Sequence, residues 1–245
     1  MRNILFGILT SVLFSVQVNA AQTAQVYEWA VAPGKAGAFV EAVEKLQNSK
    51  IGGDRTAQVQ LQSSSFNGVS PATHRVVVLY PSLAESEKWN AKFNGSKEQA
   101  AFTSSINAIS KPVRQYVARP LVSWGEVDND DKVFDIVSIT ATDPAAIAGA
   151  LGAMMTSEDT KDFPGQLWLV QIERGQASPA GRVTHEIVVG YESLAELESW
   201  SDKMYQTEAW ATWLGVASKN MTVANRYILN FLDTFNHGYS LEDFD

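Results

Sequence analysis

Apolar and polar positions alternate with a period of two over residues 73–80 (THRVVVLY) and again over residues 184–191 (THEIVVGY). That period is the mark of a strand, because successive side chains point to opposite faces. It divides the first segment into one face of His74, Val76, Val78 and Tyr80 and another of Arg75, Val77 and Leu79. The second segment divides into His185, Ile187, Val189 and Tyr191 against Glu186, Val188 and Gly190. Alternation alone does not say which face meets the core. Elsewhere the period changes. Ala36, Phe39, Val40, Val43 and Leu46 recur at helical spacing and predict an amphipathic helix. Its later counterpart follows Asp143, a good N-cap, and Pro144, suited to a first turn. Ser82 with Glu85, and Ser193 with Glu196, have capping-box spacing and predict two more helix starts. Further strands are predicted over residues 26–31 and 57–65, with Asn67, Gly68 and Pro71 in the turn leading to 73–80. Short helices over 97–109 and 208–218 precede closing strands over 113–124 and 222–235.

The pattern is written twice. At a fixed offset of 111, residues 73–89 (THRVVVLYPSLAESEKW) align without a gap on residues 184–200 (THEIVVGYESLAELESW), and Tyr116 falls on Tyr227. Upstream the offset shrinks: residues 57–62 pair with 165–170, and residues 26–31 with 133–138. Each copy reads β-α-β-β-α-β, the ferredoxin-like order, which builds an antiparallel sheet with helices on one face. The other face of such apolar strands needs cover. The expected fold is therefore α+β, with two tandem ferredoxin-like units whose antiparallel sheets pack face to face as an intrachain α/β barrel. The expected boundaries are 1–20 for a signal peptide, 21–125 for the first unit, 126–131 for an acidic linker, 132–236 for the second unit and 237–245 for an acidic tail.

The motif VVxYxSLAExExW on this strand–turn–helix resembles the dimeric α/β-barrel superfamily. The YESLAE wording is most similar to its NIPSNAP-like and antibiotic-biosynthesis-monooxygenase-like branches. The resemblance covers nearly all of the chain after the first 20 residues, twice. It implies the barrel fold. It is compatible with cofactor-independent monooxygenases, haem-using enzymes and proteins without catalysis, because fold does not settle function.

Composition narrows the partners. The chain has 245 residues, 19 basic and 27 acidic, for a formal charge of −8. Such acidity repels phosphate backbones and argues against nucleic acid. Residues 1–20 carry Arg2, an apolar run and a small-x-small end at Val18-Asn19-Ala20, the layout of a signal peptide. They predict export to the periplasm or the extracellular space, with no stable membrane insertion after cleavage. There is no cysteine, which removes disulfides, thiol nucleophiles and zinc–thiolate sites.

Candidate chemistry rests on repeated polar residues. His74, Tyr80, Tyr116, His185, Tyr191 and Tyr227 are the candidate ligand-binding set. A neutral imidazole lining a cavity could act as a base or as a haem ligand; at a strand start it could equally make only local hydrogen bonds. Trp89 and Trp200 read as core anchors. No HExxH, GxSxG, GxGxxG or Walker sequence is present, so the sequence names no catalytic residue, metal or cofactor. The segment EVDNDD lacks the ligand spacing of a calcium loop. Three roles follow: a small-molecule binder or accessory factor with a barrel cavity, a cofactor-independent or haem-using monooxygenase-like enzyme, and a structural, self-assembling protein. The chain could act as a monomer or a homodimer.

Overall fold

The computed structural model describes residues 22–125, 131–175, 182–240 and 243. The expected signal peptide, most of the linker and part of the tail lie outside them. The first half runs β1 (Thr23–Val31), α1 (Ala36–Gln47), α2 (Lys50–Gly53), β2 (Ala57–Phe66), β3 (His74–Tyr80), α3 (Leu83–Phe93), α4 (Lys97–Asn107) and β4 (Ser110–Trp124). The second runs β5 (Val133–Ala141), α5 (Pro144–Met155), a 3-10 turn (Glu158–Thr160), β6 (Leu167–Arg174), β7 (His185–Tyr191), α6 (Leu194–Met204), α7 (Glu208–Asn220) and β8 (Met221–His237). The helix starts form where their caps predict. The side chains of Ser82, Ser193 and Asp143 accept hydrogen bonds from the amides of Glu85, Glu196 and Ala146 at 3.3, 3.2 and 3.0 Å.

The arrangement of the strands corrects the expectation of two sheets stacked face to face. All eight belong to one antiparallel sheet, in the order β1-β3-β2-β8-β5-β7-β6-β4, and β4 pairs back on β1, so the ladder forms a closed barrel. The cause is the length of the last strand in each half. Within β4, residues 110–118 pair with β1 while residues 117–124 pair with β6 of the other half. Within β8, residues 221–230 pair with β5 and residues 228–237 with β2. Each long strand thus hydrogen-bonds a sheet edge that would otherwise expose its backbone N–H and C=O groups. All eight strands come from one chain.

The ladders also correct the alignment of the first strands. Val26 lies opposite Val77 and Tyr116, whereas Ile136 lies opposite Val188 and Tyr227. Val26 therefore corresponds to Ile136, and Glu28 to Ser138, three residues from the pairing that composition suggests. The offset of 108 between β2 and β6 follows from Leu61 opposite Val76 and Leu169 opposite Ile187.

Helices cover the outside of the barrel. Phe39 and Val43 of α1 and Ile106 of α4 pack on Val59, Val76 and Val78. Ile147 and Leu151 of α5 and Trp213 of α7 pack on Leu169 and Ile187. The inward face carries Val26, Val77, Tyr116 and Ala118 from the first half and Phe134, Ile136, Tyr227 and Leu229 from the second. Asp131, just before β5, is buried against Gly190, where a β-carbon would lie 1.9 Å from its carboxylate oxygen. Leu79 holds the corresponding place in the first half. Among the described residues no helix is long and apolar enough to cross a membrane.

Candidate functional site inside the barrel

The two faces of β3 and β7 have opposite surroundings. Val76, Val78 and Tyr80 lie in the apolar layer beneath the helices, so the face bearing His74 and Tyr80 looks outward. His74 packs on the Phe39 ring with centroids 4.9 Å apart, and its Nδ1 lies 3.0 Å from the Thr73 hydroxyl. His185 repeats the contact, 2.9 Å from the Thr184 hydroxyl. Each threonine oxygen also accepts from a neighbouring strand end, from the Val31 amide at 2.9 Å and the Ala141 amide at 2.8 Å. The repeated Thr-His pair thus ties strand ends together. Burial lowers both histidines from their ordinary pKa, so both favour the neutral form. Tyr191 also turns outward, edge-on to Phe163. Trp89 anchors α2 by donating its indole N–H to the Ile51 carbonyl at 2.8 Å.

The polar chemistry sits on the inward face. Arg114 grips Glu28 with two hydrogen bonds, at 2.7 and 2.8 Å, across β1 and β4. Glu186, only 1% exposed, comes from the far half of the barrel. Its carboxylate accepts from Arg75 at 3.3 Å, Arg114 at 3.2 Å, Ser138 at 3.1 Å, and Tyr116 and Tyr227 at 2.9 Å each. The Tyr227 hydroxyl accepts in turn from Arg114 at 2.9 Å and Arg75 at 3.3 Å. Two guanidinium and two carboxylate groups balance, so the cluster is neutral. That balance makes burial of four charges tolerable, since an unpaired buried ion costs several kcal/mol. Burial alone would raise the Glu186 carboxyl, but Arg75, Arg114 and the tyrosine hydroxyls outweigh it and hold the carboxyl below its ordinary value. Burial pushes the Tyr116 hydroxyl well above its ordinary value, so it stays a neutral donor.

Beside this cluster lies a cavity of about 80 Å³. Arg75, Glu186, Gln60 and Gln62 form its polar end, and its walls are apolar, with Phe134 and Trp168 the aromatic members. A second, far smaller crevice of about 10 Å³ lies on the other side of Arg75, reaching Glu28, His74 and the β2–β3 turn. It is room for about one water.

Of the six sequence candidates, the structure brings together Tyr116 and Tyr227. It leaves His74, Tyr80, His185 and Tyr191 under the helices, away from the larger cavity. Sequence reasoning missed Glu28, Arg75, Arg114, Glu186 and Gln62. One signal was available: Arg75 and Glu186 occupy the same repeat position with opposite charge, each on a strand face that is otherwise apolar or glycine.

The superfamily resemblance raises haem, and the residues present do not fit it. An axial histidine must face a space that holds the macrocycle. His74 and His185 are packed beneath helices, and the larger cavity carries no histidine. Among the described residues no group of three or more His, Asp or Glu side chains could hold a metal ion.

No family model matches the sequence, and no curated protein matches it either. Solved structures do match in shape. The chain is similar to a protein of Fusobacterium nucleatum subsp. nucleatum described as a "Putative monooxygenase", with TM-score 0.63 and 11% identity over 90% of this chain and 96% of that one. A second "putative monooxygenase", from Lactobacillus acidophilus, matches at TM-score 0.60 and 9% identity over 89% and 97%. An "anthrone oxidase-like protein" matches at TM-score 0.57 and 13% identity over 89% and 94%. At these identities the likeness is one of fold: a ferredoxin-like α/β architecture shared with monooxygenase-like proteins along nearly the whole of each chain.

Proposed function

We propose that this protein binds a small, mainly apolar molecule inside its barrel, with the polar end of that molecule toward Arg75 and Glu186. The cavity carries the reading. Its apolar walls meet a fixed, neutral polar end, and ligand sites combine predominantly apolar walls with a few placed polar groups in this way. At about 80 Å³ it is smaller than sites for drug-sized ligands, which run to roughly 300–1,000 Å³. The molecule is accordingly small. Native mass spectrometry of protein taken from its source tests this: a co-purifying small organic molecule is expected, and a mass equal to the bare chain in every preparation would count against it.

The fold neighbours favour a second reading, in which the bound molecule is oxidised in a monooxygenase-like reaction without a resident cofactor. Glu186 is engaged by five donors and is not a free base. The chemistry left to the cluster is electrostatic, with Arg75 placed to stabilise negative charge that develops on a substrate oxygen. Oxygen uptake measured with a molecule shown to bind decides between the two: uptake above the protein-free rate supports turnover, and its absence leaves binding alone.

A further inference from the structure

On the outside of the barrel, in the turn from α2 to β2, one cation is buried with nothing to balance it. Arg55 is 5% exposed, and among the described residues its side chain has neither an ion pair nor a hydrogen bond. Its Nε is sealed from solvent. Nη1 and Nη2 also donate to nothing, and they are the nitrogens that still reach the surface. One face of the guanidinium lies on the Trp89 ring, 3.5 Å from its centroid. That ring is itself fixed, by its bond to the Ile51 carbonyl and by Phe93 stacked on it at 4.4 Å.

The ionisable groups that act on Arg55 supply no counter-charge. They are Tyr27, Tyr80 and His237. Burial pushes the Tyr27 hydroxyl up to about 12, raises that of Tyr80 and lowers His237, so all three are neutral near pH 7. Asp54, next in the chain, pairs with Lys50 at 3.3 Å. Arginine does not shed its proton in a protein. The cation–π contact offsets part of the cost, but a buried ion without a counter-charge remains strongly unfavourable.

The second half shows that this niche does not need an arginine. The offset of 108 between β2 and β6 sets Arg55 on Phe163, and the offset of 111 sets Trp89 on Trp200 and Tyr80 on Tyr191. Phe163 packs on Trp200 with centroids 5.3 Å apart and meets Tyr191 edge-on at 6.1 Å. There an apolar ring fills the place that the guanidinium fills here. Phenylalanine serves the fold, whereas the first half keeps a charge whose donors are unused. Nη1 and Nη2 form a fork that matches the two oxygens of an oxyanion. One cation balances one negative charge, and a chain of formal charge −8 repels guests of higher charge.

We propose that Arg55 is a second binding site, separate from the barrel cavity, for the carboxylate group of a small molecule. The two carboxylate oxygens accept from Nη1 and Nη2, Trp89 supports the guanidinium from one face, and the rest of the guest lies at the surface.

The sealed Nε–H supplies a reporter. Its proton–nitrogen resonance, assigned by its loss in Arg55→Phe, is followed as acetate is added to the protein at fixed ionic strength. A saturable shift is expected, half complete at millimolar acetate, with chloride giving none and inorganic phosphate binding more weakly. Arg55→Phe installs the residue of the second half. It should raise the acetate concentration needed for a given gain in melting temperature about tenfold or more, the worth of a charge-assisted hydrogen bond. Arg55→Lys keeps the charge and loses the fork, so it should weaken acetate to a smaller degree. The titration of the unaltered protein decides the matter whether or not a variant folds: no acetate shift, or one that chloride reproduces, overturns the site. Phosphate binding as tightly as acetate overturns the carboxylate assignment. An acetate response undiminished in Arg55→Phe puts the binding elsewhere and overturns the proposal as well.

Discussion

The inward faces of the two halves descend from one pattern and have diverged in opposite directions. Ala24, Val26, Ala118, Gln60 and Gln62 of the first half correspond to Phe134, Ile136, Leu229, Trp168 and Val170 of the second. The first half keeps small or polar groups, whereas the second fills the same positions with bulk. The cavity exists because the two linings are unequal: one wall supplies space and the amides of Gln60 and Gln62, the other supplies the rings of Phe134 and Trp168. The charged positions diverged too. Arg75 and Glu186 are equivalent, yet they meet across the barrel as a pair. In two identical halves that position would set like charge against like. The opposite signs make each half specific for the other. The outward faces tell a different story, for the Thr-His contacts and the serine caps are the same in both halves.

The largest expected effect comes from breaking the cross-half pair. Glu186→Leu leaves Arg75 and Arg114 facing one carboxylate, and should cost about 3–5 kcal/mol in urea unfolding, the usual penalty for orphaning a buried charge. Removing Arg75 as well restores the balance, because Arg114 keeps Glu28. The double variant Arg75→Leu with Glu186→Leu should therefore recover most of the loss. A double variant no more stable than Glu186→Leu would mean that the pair is not what couples the halves.

Making the first half more like the second should erase the cavity. Ala118→Leu installs the residue that the second half carries at Leu229. It should abolish binding of the small molecule in the barrel, while stability changes by about 1–3 kcal/mol, the range for adding bulk to a packed interior. Retained binding would show that the inequality of the two linings does not create the site.

The two faces should also separate in pH. His74, His185 and His237 are lowered by burial, the last also by Arg55, so the folded protein favours their neutral forms. The unfolded chain then binds more protons, and stability is lost as pH falls below about 6.5. The Glu186 carboxyl is also depressed, and its contribution is present above its unfolded value of 4.5 and lost as pH falls through the lower folded value. Thermal unfolding should show a plateau near pH 7, a gentle decline below about 6.5 and a steeper one below about 4.5. His74→Gln with His185→Gln should flatten the first decline and spare the second. A double variant with an unchanged profile would remove the outward histidines from the account.

Legibility in the sequence divides along the same line. The caps, the helix at Phe39 and Val43 and the doubled strand of His74 and His185 follow from local patterns of two to four residues, and the structure has them. Joining two halves into one ladder is not local. It depends on β4 and β8 being long enough to serve two partners, which shows in the sequence only as length. Face assignment was out of reach for a related reason. Both faces of β3 are buried, one under helices and one inside the barrel, so alternation carries no sign of in or out. Repetition drew attention to His74 and His185, which serve the fold, and away from Arg75 and Glu186, whose difference marks the site.

The smallest effect tests the unchanged part of the comparison. Ser82 and Ser193 cap equivalent helices with nearly equal geometry, 3.3 and 3.2 Å from the acceptor hydroxyl to the third amide. Each serine-to-alanine change should cost about 1 kcal/mol, the ordinary worth of an N-cap. The two sites differ in one detail. Glu196 reaches back to accept from the Glu192 amide at 2.7 Å, whereas Glu85 pairs with Lys88 along its own helix. Ser193→Ala leaves that second contact to hold the entry of its helix, so its cost should fall slightly below that of Ser82→Ala. Glu196→Ala in the Ser193→Ala background should then remove more stability than Glu85→Ala in the Ser82→Ala background. If the two double variants lose the same amount, the backbone contact of Glu196 adds nothing and the capping of the two halves is fully equivalent.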